Sequence, residues 1–194
     1  MSTLTDTLRA RALSPVIEDQ RSRLAFGVVA FVLITAFSAQ VAIRLPWTPV
    51  PVTLQPLLVV LAGVLLGARA GTAAMVAYVT VGALGAPVFA HGGAGLPWLL
   101  GPTGGYLLAA PAAAFVAGAV SGRDGTPVRL LAGLSLGVVT MYVGGLAQLM
   151  AITGLGPAEA AVLGVVPFMA GDVTKILLAF FGVHALRRAR RQES

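Results

Sequence analysis

The chain has 194 residues, 57% of them hydrophobic and 10% charged, with a mean hydropathy of +0.90. Soluble globular domains carry about 25% charged residues and disordered chains are richer still in polar groups, so both classes are excluded. There is no cysteine, which removes disulfide scaffolds, thiolate metal sites and thiol nucleophiles. An all-α integral membrane protein remains. At about 20 residues per spanning helix, the length accommodates about six spans in one domain.

Residues 1–23 read as a short cytoplasmic arm carrying Arg9, Arg11, Arg21 and Arg23. The apolar run that follows is too long for a signal peptide. The first span is expected over residues 24–43. Residues 45–56 hold four prolines and cannot form a regular helix, because proline lacks the amide donor and clashes with the preceding turn. A short second span, residues 57–66, then needs part of its depth from that irregular segment. A third span is expected over 72–84, a Gly/Pro-rich stretch over 85–105, and further spans over 106–120, 129–152 and 166–186. Residues 187–194 form a basic tail.

The charge placement orients this array. An even number of spans puts both termini on one side, and cytoplasmic segments collect Lys and Arg. With the termini inside, eleven of the thirteen bases fall on inner segments; Arg44 lies outside and Lys175 within a span. The net charge of +6 therefore reports orientation in a cytoplasmic membrane, not nucleic-acid binding. The inner turns are tight and the outer connections 45–56, 85–105 and 153–165 are long. Irregular backbone at membrane depth is tolerated only where protein or a cavity covers it, so a pocket is expected at the outer face.

Asp172 and Lys175 are the sharpest chemical feature. They stand three residues apart on the last span, hence on one face. Each costs about 2.5–3.5 kcal/mol at the centre of a spanning helix on insertion scales, and such residues mark functional sites by default. Mutual neutralisation as a structural staple is the competing role. Thr53 and Gln55 are the polar groups of a proline-extended segment, with a plain connecting loop as the alternative. In the 85–106 stretch, Phe89, Trp98 and Tyr106 are candidates to pack on a ligand ring. An interfacial aromatic belt is the preferred assignment for Trp98 and Trp47. No phosphate-binding loop of the form G-x-x-x-x-G-K-[ST] occurs, so any ATP dependence must reside in a partner. With two histidines and seven acids, a hydrolytic enzyme is not expected. Small residues four apart occur at Gly67/Gly71, Gly118/Gly122, Gly133/Gly137 and Ser38/Ala42, a spacing that lets helices approach closely.

Five motifs, in order, resemble one family. They are Val50-Pro51-Val52-Thr53-Leu54-Gln55, Gly67-Ala68-Arg69-Ala70-Gly71, and Gly85-Ala86-Pro87-Val88-Phe89 with Gly92-Gly93-Ala94-Gly95. Gly101-Pro102-Thr103-Gly104-Gly105-Tyr106 follows, then Pro167-Phe168 with Gly171-Asp172 and Lys175. Together they resemble the BioY family, the biotin-binding S components of energy-coupling factor (ECF) transporters, over residues 24–186. The resemblance implies a six-helix fold with a biotin pocket under the first and third outer loops. It implies Asp172 and Lys175 as polar biotin contacts, with Gln55, Thr53, Phe89 and Tyr106 as weaker carry-overs. It also implies partners: a transmembrane coupling protein and two ATPase subunits that consume the ATP, with no cofactor held by this chain. One feature departs from the family pattern. Helix 1 offers Ala36, Ala39 and Ala42 but no A-x-x-x-A stripe, which leaves the docking face unassigned. The alternative function is an ion-coupled or solitary secondary transporter of a small vitamin. Against ion coupling, Asp172 is the only acid expected in a span, and no repeated halves are evident.

Overall fold

The structure is a computed structural model that describes residues 20–192; residues 1–19 of the arm expected over 1–23 lie outside the described residues. Eight α-helices are present among them: α1 Gln20–Gln40, α2 Gln55–Leu66, α3 Ala68–Ala83, α4 Gly95–Leu99, α5 Gly104–Ser121, α6 Pro127–Thr153, α7 Pro157–Gly164 and α8 Val166–Gln192. Four of them, α1, α5, α6 and α8, are long and apolar enough to cross a membrane. The 12 residues of α2 and 16 of α3 are shorter, and the short α2 matches the expectation from the proline-rich segment before it.

Local sequence explains where the helices begin and end. Thr126 caps α6, its hydroxyl accepting from the Arg129 amide at 3.3 Å, and Pro127 occupies the first turn, where its missing amide leaves no partner wanting. Gly154 closes α6 in the left-handed conformation. Gly67, at φ 87°, breaks the chain between α2 and α3 in a region that L side chains avoid.

The α5–α6 hairpin forms the centre. Helices α2 and α3 pack on α5, α1 packs on α2 and α3, and α8 packs on α6 and α2. Glycines and alanines permit this closeness. A Cβ on Gly71 would stand 2.6 Å from the Gly63 Cα, and one on Gly118 would stand 2.5 Å from the Gly63 carbonyl oxygen. The outward faces carry large apolar side chains, among them Phe26, Leu33 and Phe37 on α1 and Leu178 and Phe181 on α8. An apolar exterior of this extent is normal only against hydrocarbon, and the helices satisfy their own backbone bonds there.

Several sequence expectations are corrected. Of the four small-residue pairs, Gly133/Gly137 works as a pair: both face α5, against Ser121 and Ala117. Gly67 and Gly122 instead end helices at positive φ, and Ala42 lies beyond α1. The close contact runs through Gly63, Gly71 and Gly118, a set that no single four-residue repeat displays. The first span begins by Gln20, so Arg21 and Arg23 are helical, and α8 continues through the basic tail to Gln192. The connection expected over 153–165 is largely the helix α7, and the 85–105 stretch contains a 3-10 turn, Ala90–Gly92, and α4.

Candidate functional site

The proline-rich segment after α1 folds back as a narrow loop. Ile43 and Val52 exchange backbone hydrogen bonds of 2.9 Å in an isolated antiparallel bridge. This directs Val50, Pro51 and Thr53 inward over the start of α2. The 84–103 connection covers the same end of the bundle from the opposite side. Between them, and bounded by α5, α6 and α8, lies a cavity of about 700 Å³ including its mouth. Val59, Leu107, Met141 and Phe168 give it apolar walls.

The polar groups converge from three directions. Asp172 and Lys175 lie on one face of α8 because a three-residue step nearly completes a helical turn. The Lys175 ammonium donates to Asp172 Oδ1 at 2.7 Å and to the Thr53 carbonyl at 2.7 Å. The Tyr142 hydroxyl, from α6, donates to the other carboxylate oxygen, Oδ2. Asp172 is 3% exposed, and each of its carboxylate oxygens is paired by a protein group. Pairing offsets the desolvation that isolates a buried charge, and it joins α6, α8 and the first loop at one point.

A second network stiffens the adjoining wall. The Gln55 amide donates to the Tyr78 hydroxyl at 2.7 Å, and that hydroxyl donates to the Val88 carbonyl at 2.9 Å. The Thr53 hydroxyl donates to Gln55 Oε1 at 3.3 Å. The covering segments are tied down by single side chains. Gln40 donates to the Phe89 carbonyl at 3.1 Å and accepts from the Gly92 amide at 3.1 Å. Gln148 holds the Leu99 and Gly101 carbonyls, each at 2.7 Å. Thr48 and Tyr106 donate to the Leu163 and Gly164 carbonyls at the end of α7, each at 2.7 Å.

The structure thus brings together five of the six sequence-derived candidates: Asp172, Lys175, Gln55, Thr53 and Tyr106 all line the cavity. Phe89 does not. It is fully buried behind the wall, edge-on to Tyr78 with ring centroids 5.6 Å apart and its ring over Gly82. Trp98 is the converse case. Its preferred assignment was the interfacial belt, yet it lines the cavity with its ring seated over Gly93. Trp47 is exposed, as a belt residue would be. Tyr142, Tyr78 and Gln40 escape sequence reasoning. Tyr142 stands 30 residues from Asp172, and only the crossing of α6 with α8 makes them neighbours. Its one legible signal is a phenol midway along a mostly apolar span.

The chain can be placed among known proteins on this geometry. A probable biotin transporter BioY of Pyrococcus horikoshii is 40% identical over 152 residues, covering 78% of this chain and 88% of the relative. A biotin transporter BioY of Rhizobium etli is 37% identical over 156 residues, covering 76% and 83%. A crystal structure of the S-component for biotin from an ECF-type ABC transporter superposes with a TM-score of 0.78 at 24% identity, covering 90% of this chain and 94% of that one, which establishes the shared fold. The BioY family model matches residues 11–192, and the chain belongs to the BioY family.

Proposed function

We propose that this chain captures biotin at one face of the cytoplasmic membrane and carries it inward as the substrate-specific subunit of an ATP-driven ECF transporter. Its role is transport, not catalysis. The observation that carries this reading is the buried Tyr142–Asp172–Lys175–Thr53 network on the wall of the cavity under the two outer connections.

Biotin presents a ureido group with two N–H donors and one carbonyl, an apolar thioether ring and an anionic tail. The network has matching capacity. An ammonium carries three protons, and two are used by Asp172 and Thr53. A carboxylate offers about four lone-pair sites, and two are used by Lys175 and Tyr142. One donor and two acceptor sites are left, the complement of a ureido edge. Lys175 then donates to the ureido oxygen while Asp172 accepts from a ureido N–H. Tyr106, Trp98 and Met141 bound the thioether ring, Gln55 and Thr53 hold the wall, and Phe89 supports it from behind.

In this reading α1, α2, α3, α5, α6 and α8 are the six spans, with both termini cytoplasmic and the cavity at the outer face. No cofactor belongs to the chain. A transmembrane coupling protein and two ABC-type ATPase subunits supply the energy. Titration calorimetry of biotin into the detergent-purified chain tests the assignment. Tight binding that Lys175→Ala weakens by about 10-fold or more is expected, since a hydrogen bond to a charged group contributes about 1.5–3 kcal/mol. A folded parent that binds no biotin, or a Lys175→Ala variant that binds as tightly as the parent, refutes it.

A further inference from the structure

In the topology proposed above, Arg44 is the one Lys or Arg on an outer connection, against the rule that collects such bases inside. It directly follows Ile43, whose bridge to Val52 places Arg44 across the narrow loop from Pro51. Pro51 lines the cavity already described and also a more open depression outside it. Trp98 and Thr103 line both spaces too, so the two meet along that rim. Arg44 and His91 both line the outer depression, one from each covering connection, and among the described residues no carboxylate lines it.

The two side chains are exposed, and among the described residues neither holds a hydrogen-bond or ionic partner. His91 stands at φ 55°, the one non-glycine residue at positive φ among the described residues, in a turn that continues into Gly92-Gly93. Glycine meets such a backbone demand without steric cost, so the turn alone gives no reason for an imidazole there.

We propose that Arg44 and His91 form the subsite for the anionic end of the substrate, and that they make the chain select a carboxylate tail over a neutral one. The proposal rests on the biotin reading, in which Asp172 and Lys175 hold the ureido edge. That pair is neutral as a unit and has no net charge to offer the tail. Lys175 is bonded to Thr53, and Arg44 lies across the loop from a position two residues before Thr53, which sets the two ends roughly 8 Å apart along the backbone. The ring system and valeryl tail together cover that span. At the rim the Arg44 guanidinium supplies charge and a two-pronged fork for the carboxylate, and the His91 imidazole donates an N–H in either protonation state.

Titration calorimetry of the full detergent-purified chain tests this with biotin and with biotinamide, whose tail ends in a neutral carboxamide. The parent is expected to prefer biotin on the order of 10-fold, since exposed ionic contacts contribute up to about fivefold each. That preference falls as salt rises, because exposed charges are screened. Arg44→Gln/His91→Gly, the glycine suiting the local φ, abolishes the preference by weakening biotin alone, and Arg44→Lys retains most of it. Unchanged helical circular dichroism certifies the variants' fold. A parent that binds the two ligands equally tightly overturns the proposal and leaves the biotin reading standing. A parent that binds neither overturns both. A double variant that keeps the full preference also overturns the proposal. So does one that loses affinity for both ligands alike, which assigns the two residues to packing of the loops.

Discussion

Asp172 and Lys175 stabilise the fold only as a pair, and this can be measured without any ligand. Lys175→Ala removes the ammonium that lies 2.7 Å from both Asp172 Oδ1 and the Thr53 carbonyl. It strands a carboxylate that is 3% exposed and retains only the Tyr142 hydroxyl. Breaking a buried pair in this way costs about 3–5 kcal/mol. Asp172→Ala strands a side chain that is 12% exposed, with the Thr53 carbonyl as its remaining partner, at a similar cost. If the two losses were independent, the double variant would lose about 6–10 kcal/mol. In the double variant no charge is left. What remains is one phenol and one carbonyl without a protein partner, each costing about 1–3 kcal/mol and open to water from the cavity. The expected loss is therefore about 2–6 kcal/mol, with a coupling of about 4 kcal/mol between the sites at the middle of both ranges. Equilibrium unfolding of the ligand-free chain in mixed micelles, followed by tryptophan fluorescence and circular dichroism, reads all four corners of the cycle. Additive losses would refute the reasoning, because they would mean that the pair is solvated and each charge independent.

Tyr142→Phe removes one charge-assisted bond to Asp172, and is expected to weaken biotin binding by about 10-fold or more in calorimetry while leaving the helix content unchanged. Gly63→Val forces a branched side chain against the Ala114 backbone on α5 and should cost more than the about 1–3 kcal/mol of ordinary overpacking, read as loss of folded yield and of thermal stability. Gln40→Ala frees the Phe89–Gly92 turn from α1, and amide exchange at Gly92 is expected to rise roughly fivefold, since the lost bond contributes about 1 kcal/mol. His91 sits at φ 55°, so His91→Ile should lower the melting temperature more than His91→Gly does.

The fold was legible wherever one physical rule dominated. Hydropathy alone placed α1, α5, α6 and α8, because a hydrocarbon solvent demands long apolar helices with internal hydrogen bonds. Proline density identified the segment before α2 as irregular, and Ile43 pairs with Val52 there in place of a helical turn. Helix α7 was hidden because its eight residues, Pro157–Gly164, carry the same Gly and Pro punctuation at their start as a loop. Small-residue spacing misled for a related reason. A glycine's role depends on what faces it: Gly67 and Gly122 serve their own backbones, while Gly63, Gly71 and Gly118 serve contacts between helices.

The site divides along the same line. Residues whose type is anomalous for their surroundings announce themselves, as a carboxylate and an amine do within an apolar span. Asp172 and Lys175 needed only their three-residue spacing to be paired, and the structure adds Thr53 to them through its backbone carbonyl, an atom that carries no residue identity. Aromatic residues are the hard case, because the same ring suits a bilayer interface, a core and a ligand wall. Trp98 and Phe89 exchanged expected places for this reason: Gly93 opens room for the indole at the cavity edge, whereas Gly82 draws the Phe89 ring behind Tyr78. The glycine across from a ring, more than the ring itself, decides which surface it presents. That rule assigns Tyr106 as well: its ring lies over Gly145 and its hydroxyl is held by the Gly164 carbonyl, so it faces the cavity with an apolar flank and a tethered tip.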